Sequence, residues 1–195
     1  MSGGRPVATV RIGVDGKSGF YADGSVIAVL TRDDEARFLG YQVEVGMAKR
    51  VSQDWVVDVG VAHNEFRAAY PGGFPYTYSE GYIGATSGPI SAYIFVSPNY
   101  YHSGFWTVYG QLEGSVSPAK DWTLTAHVGV LNHLYTPEPY YLPHATLYDW
   151  RVGVTREFGN LELHTNLSGG GPGRQYSYGE SHSRTAVVAG ASLTF

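Results

Sequence analysis

Apolar and polar residues alternate along most of this chain, with the period of two that turns successive side chains to opposite faces of a strand. The alternation predicts strands over roughly residues 5–14, 18–30, 38–49, 54–66, 76–86, 89–97, 104–117, 121–134, 145–157, 160–167 and 184–195. In 54–66, Val57, Val59 and Val61 share one face, while Asp58 and Gly60 share the other. In 121–134 the same split sets Leu124, Ala126, Val128 and Val130 against Thr123, Thr125 and His127. Nearly all the segments reach the length of about 9–11 residues that a tilted strand needs to cross hydrocarbon.

The connections alternate as well. Tight ones contain Asp15-Gly16-Lys17, Ser52-Gln53-Asp54, Ser87-Gly88, Pro118-Ala119-Lys120 and Gly159. Longer ones run from Thr31 to Arg37, Ala68 to Pro75, Pro98 to Ser103, Tyr135 to His144 and Ser168 to Ser183. Short turns at one rim and long loops at the other are the topology of an outer-membrane barrel, short on the periplasmic side and long outside. The pattern therefore predicts an all-β fold: an up-and-down antiparallel transmembrane β-barrel of about 11 strands, a single domain over residues 1–195.

Trp55, Trp106, Trp122 and Trp150 each open the apolar face of a predicted strand, two at either rim, and so predict an aromatic girdle. The final segment carries Val187, Ala189, Ala191, Leu193 and Phe195 on one face. Its ending resembles the C-terminal signal of bacterial outer-membrane barrels, with Gly190, Leu193 and Phe195 at the matching positions and Val188 departing from the usual polar residue. That resemblance implies a barrel assembly machinery as partner, while the terminal aromatic places Phe195 in the girdle.

Composition agrees with a barrel wall. Charged residues make up 15% of the chain, against about 25% in ordinary soluble proteins. The 26 Gly and 16 Tyr suit curved strands and interfacial rings. No run of apolar residues approaches the length of a transmembrane helix. A net charge of −4 with no basic block argues against a nucleic-acid partner. The absence of cysteine excludes disulfides and thiolate metal sites.

Four motifs carry a family resemblance: Ser18-Gly19-Phe20-Tyr21-Ala22, Tyr78-Ser79-Glu80-Gly81-Tyr82-Ile83-Gly84 running on to Gly88-Pro89-Ile90-Ser91, Asp121-Trp122 through His127-Val128-Gly129, and Tyr148-Asp149-Trp150-Arg151-Val152-Gly153-Val154. In these the chain resembles the TorF family, a sequence-defined group of outer-membrane barrels described as porins. The resemblance implies a proteobacterial outer-membrane location and twelve strands, and it says little about substrate. Family members have a signal peptide and a further strand ahead of the region where this chain begins, so the expectation is that both are missing here. With an odd number of strands, segments 5–14 and 184–195 run the same way, and closure is expected through a parallel pairing between them.

The polar face is the candidate lumen. Its charged residues are Arg11, Glu44, Asp58, Glu80, Glu113, Asp149, Arg151 and Glu162. Six acids against two arginines predict a preference for cations if the lumen is open. Alternatively the same carboxylates bond to Tyr82, Tyr93 and Tyr109 or to the arginines and plug the interior. No metal site is expected, since His127 and His133 share a face but lie about 20 Å apart along a strand. No cofactor is expected either. A Ser–His hydrolase would have to draw on neighbouring strands, from Ser91, Ser115, His127 and His164, because the adjacent His102 and Ser103 point to opposite faces. The run Gly169 to Gly173 lacks the following Lys-Ser/Thr of a phosphate loop and reads as a surface loop.

Three functions fit: a passive channel for small solutes, a structural or adhesive barrel acting through its long loops, and a lipid-modifying enzyme. The first accounts best for the polar interior, with membrane lipid as surroundings and no catalysis.

Overall fold

The computed structural model describes residues 6–30, 36–67, 75–100, 103–135, 146–171 and 184–194. Eleven strands make one sheet: β1 (Val7–Asp15), β2 (Phe20–Leu30), β3 (Ala36–Arg50), β4 (Trp55–Phe66), β5 (Tyr76–Ser87), β6 (Ile90–Ser97), β7 (Trp106–Ala119), β8 (Trp122–Tyr135), β9 (Thr146–Phe158), β10 (Leu161–Gly171) and β11 (Arg184–Leu193). Each pairs antiparallel with its neighbours in chain order. The up-and-down reading of the alternation is therefore correct, and the described residues contain no helix.

The outward face exposes its apolar side chains. Val10, Ile12, Val59, Ile83, Ile94, Val128, Val152 and Leu163 are all exposed, Val128 at 54% and Ile12 at 71%. The buried apolar residues among those described are Val29, Ala62, Tyr82, Phe105 and Leu131, too few for the core of a water-soluble domain. An apolar band this continuous exceeds what a soluble monomer shows to water and matches a lipid-facing wall.

Three expectations need correction. The Gly-rich stretch after Ser168 was expected to be loop, yet β10 continues to Gly171, with Gly169 opposite Trp150 and Gly171 opposite Tyr148. The Trp150 indole packs over Gly169, where a side chain on residue 169 would collide with it, so packing overrides the weak strand preference of glycine. That placement also removes Trp150 from the rim: it lies in register with Val128, in the middle of β8, and Tyr148 precedes it on the same face. Trp55, Trp106 and Trp122 do open their strands at the rims. Arg156 lies over the ring of Trp122 at 4.9 Å, a cation-π contact suited to an interface. Phe195 lies outside the described residues.

The third correction concerns closure. β1 and β11 are the two ends of the strand order, and no ladder joins them among the described residues. All nine residues of β1 are exposed. Both strands run from the long-loop rim to the short-turn rim, so only a parallel pair could join them directly, and among the described residues that pair is not formed. Evenly slanted parallel bonds are slightly weaker per residue than antiparallel ones, and the chain meets its antiparallel preferences at every other junction.

Candidate lumen lining

Cross-strand register puts tyrosines opposite glycines on the inward face: Tyr21 faces Gly46, Tyr82 faces Gly60 and Tyr93 faces Gly84. In each case the ring lies over the glycine of the neighbouring strand, in space a side chain there would take. The rings thus run along the wall instead of across the lumen. Phe95 meets Tyr82 at 5.3 Å, Tyr93 at 5.9 Å and Tyr109 at 6.0 Å between ring centroids, which continues the aromatic lining from β5 to β7. Gly84→Val should push the Tyr93 ring off the wall and cost about 1–3 kcal/mol. Gly110, on the outward face where an added side chain meets nothing, is the control and should tolerate Val far better. Urea titration in lipid vesicles checks this, and equal losses at the two positions would contradict the packing.

The flattened tyrosines hold the acidic groups. The Tyr82 hydroxyl donates to Glu44 Oε1 at 2.6 Å. Tyr21 donates to Asp58 Oδ1 at 3.0 Å and Tyr93 to Asp58 Oδ2 at 3.2 Å. The Tyr21 and Tyr82 hydroxyls also touch each other. Glu80 accepts a long bond from Asn64 Nδ2 at 3.5 Å, and Asn64 is almost wholly buried. Among the described residues no Lys, Arg or His lies within ion-pair distance of Glu44, Asp58 or Glu80. Arg11 pairs with Asp23 through Nε at 2.7 Å and acts on Glu44 only from beyond ion-pair distance.

A second cluster lines β7 to β9. His127 sits between two carboxylates, with Nδ1 3.2 Å from Glu113 Oε1 and Nε2 2.7 Å from Asp149 Oδ1. The Tyr109 hydroxyl donates to Asp149 Oδ2 at 3.1 Å. Arg151 reaches Glu113 only at 3.7 Å, and Glu162 lies 3.5 Å from His164 Nδ1. The lumen charges therefore divide into two arcs. Glu44, Asp58 and Glu80 on β3 to β5 have only hydroxyl and amide partners, while Glu113, Asp149 and Glu162 share β7 to β10 with Arg151, His127 and His164.

Of the eight charged residues read from the sequence, Glu44 joins Asp58, and Glu113 joins Asp149 and Arg151. Glu80, Glu162 and Arg11 each stand with another partner. Sequence reading missed Asp23, which neutralises Arg11, and the bridging role of His127. Both depend on register: Asp23 faces Gly13 and Glu44, and His127 stands between Glu113 and Arg151 in one cross-strand row.

The hydrolase reading loses one of its two candidate bases, since both nitrogens of His127 are engaged by carboxylates and none is left to take a serine proton. One Ser–His bond does occur, between His63 Nδ1 and Ser79 Oγ at 2.9 Å, and it lies on the outer face. No carboxylate lies within hydrogen-bond distance of His63 among the described residues, so the third member of a triad is lacking there. His102 lies outside the described residues. No group of three or more His, Cys, Asp or Glu among the described residues could hold a metal ion.

No family model matches the chain, and no curated protein does. The likeness to TorF barrels thus rests on the quoted motifs. Solved structures do match. The outer membrane phospholipase A from Escherichia coli is similar with a TM-score of 0.52 at 14% identity, over 96% of this chain and 77% of that one. A NanC porin is similar with a TM-score of 0.68 at 12% identity, over 97% of this chain and 93% of that one. At these identities the likeness concerns the fold alone: the chain has the barrel architecture of a porin of nearly its own length.

Proposed function

We propose that the protein is a passive outer-membrane channel for small solutes, with a preference for cations. The observation that carries this reading is the acidic arc. Three carboxylates, Glu44, Asp58 and Glu80, face inward without a cationic partner among the described residues. A plug would pair its buried charges, because an unpaired charge in a closed interior is costly. Water and passing cations supply the compensation when the lumen is open. Tyr82, Tyr93 and Tyr109 do bond lumen carboxylates, as the plugged alternative has it, but Tyr82 and Tyr93 do so from along the wall, and that orientation supports the open reading. The lipid-facing band and the fold shared with outer-membrane barrels support an outer-membrane location. The C-terminal strand is then the segment an assembly machinery would recognise.

Conductance in planar bilayers tests the proposal. The triple substitution Glu44→Gln, Asp58→Asn and Glu80→Gln should shift the reversal potential in a salt gradient toward zero, because three like charges are lost from a confined and weakly screened space. Glu113 is left in place, since it has the Arg151 guanidinium within ion-pair distance at 3.7 Å. Reversal potentials that do not move would remove the basis for selectivity. A wild-type barrel that inserts but passes no current would remove the channel reading itself.

A further inference from the structure

At the short-turn end of the outer wall one arginine stands with no acid beside it. Arg156 belongs to the outward face of β9, in register with Trp122 on β8 and Leu163 on β10. Its guanidinium carbon lies 4.9 Å from the centre of the Trp122 ring and 4.7 Å from that of Phe158. Phe158 follows two residues nearer the turn on the same face, so the guanidinium leans from the row of Trp122 toward the rim. All three residues are exposed. Among the described residues no carboxylate lies within ion-pair distance of Arg156. Glu157, the next residue, belongs to the opposite face, where it stands across from Glu162.

The height of this cluster suits a lipid headgroup. Val128, in the middle of β8, is six positions from Trp122. At about 3.3 Å per residue and a tilt of about 40°, that separation is about 15 Å along the membrane normal, half of a hydrocarbon core about 30 Å thick. Arg156 therefore lies where hydrocarbon gives way to headgroups. A long cationic side chain at that level leans toward the rim, as this one does, because a charge left in hydrocarbon is costly. The two rings fix the guanidinium but supply no lone-pair acceptor, so its N–H donors still need one. Toward the membrane interior, Leu124 and Val154 form the next outward row, and Leu163 flanks the row of Arg156 itself. The long-loop rim offers a contrast: Arg67 also lies over a ring, that of Phe38 at 5.3 Å, but its Nε is taken by Glu65 at 2.8 Å.

We infer that Arg156, Trp122 and Phe158 form a binding site for the phosphate of an anionic glycerophospholipid in the leaflet at the short-turn rim. Two N–H donors of the guanidinium take two phosphate oxygens, the bidentate pairing for which its planar fork is shaped. The rings restrict the rotamers of Arg156, so less side-chain entropy is lost when the lipid binds. The acyl chains run down over Leu124, Val154 and Leu163, a surface that a water-soluble phosphate ester cannot use. A zwitterionic headgroup brings its own ammonium to its phosphate and gains less from Arg156. The site belongs to the outer wall and stands whether or not the lumen conducts.

The test titrates single lipids against the whole barrel. The protein, purified in an uncharged maltoside detergent with ¹⁵N-labelled arginine, receives dihexanoyl-phosphatidylglycerol, dihexanoyl-phosphatidylcholine or glycerol phosphate. The Nε–H resonances of Arg156 and Arg67 are followed by NMR, the first assigned by its loss in Arg156→Lys. Phosphatidylglycerol should bind at Arg156 about fivefold more tightly than phosphatidylcholine, as one exposed ion pair implies. Glycerol phosphate should bind far more weakly than phosphatidylglycerol, and the Arg67 resonance should stay in place. The double substitution Trp122→Leu and Phe158→Leu keeps the charge but frees the guanidinium, and should lower the affinity for phosphatidylglycerol about threefold. An unchanged affinity there would overturn the role given to the rings. Equal affinities for the two lipids, or an equal response at Arg67, would overturn the inference from the wild-type protein alone, whether or not the variant folds. A response to glycerol phosphate as strong as that to phosphatidylglycerol would overturn it too, by showing a phosphate site that needs no lipid.

Discussion

A strand supplied between β1 and β11, running opposite to both, should raise the stability of the barrel in a bilayer by several kcal/mol. The two edge strands point the same way, from the long-loop rim to the short-turn rim, so one opposed strand pairs antiparallel with each. Each backbone N–H or C=O left unpaired in hydrocarbon costs several kcal/mol, so even partial pairing outweighs the entropy of ordering a short segment. The design is set by the edges themselves. Val10, Ile12 and Val14 face outward on β1, and Val187, Ala189, Ala191 and Leu193 share a face on β11, so the added strand needs apolar residues on that side and polar ones inside. Fused ahead of Met1 through a loop at the long-loop rim, such a strand should move the urea midpoint in lipid vesicles upward. An unmoved midpoint would mean that the edges find partners in some other way.

Much of the wall was legible in the sequence because its signal is local. Alternation with a period of two marks strands within a few residues, and turn composition sorts the two rims. The misses share a cause. Trp150 looked like a rim residue because it opens an apolar run, but only the pairing of Val128 with Trp150 fixes its height. The stretch from Gly169 to Gly171 looked like loop because glycine seldom favours strands, but β9 and β11 flank Gly169 on both sides. The charged lumen residues were readable one by one from their parity. Their division into an acidic arc and a mixed arc was not, since it depends on which row of β3 meets which row of β4. The same holds for His127, whose two carboxylates come from different strands.

Arg at Val128 should destabilise the folded barrel by about 2–4 kcal/mol, the penalty of a charge on the lipid face near the bilayer midplane. Val128 is 54% exposed on the outward face, between Leu112 and Trp150, six positions from the short-turn end of β8 at Trp122 and seven from the other end at Tyr135. A guanidinium there is too far from either rim for its side chain to reach headgroups easily. Arg at Thr125 is the control on the same strand. Thr125 faces inward opposite Ser115 and lines a polar recess with Glu113 and Asn166, where water and Glu113 can accept the new charge, so its cost should be much smaller. The comparison holds strand and introduced residue constant and changes the face, with Thr125 three positions nearer the short-turn rim. Folding into lipid vesicles, titrated with urea, reads both variants. Equal losses at Val128 and Thr125 would overturn the assignment of inside and outside, and with it the lumen and the acidic arc.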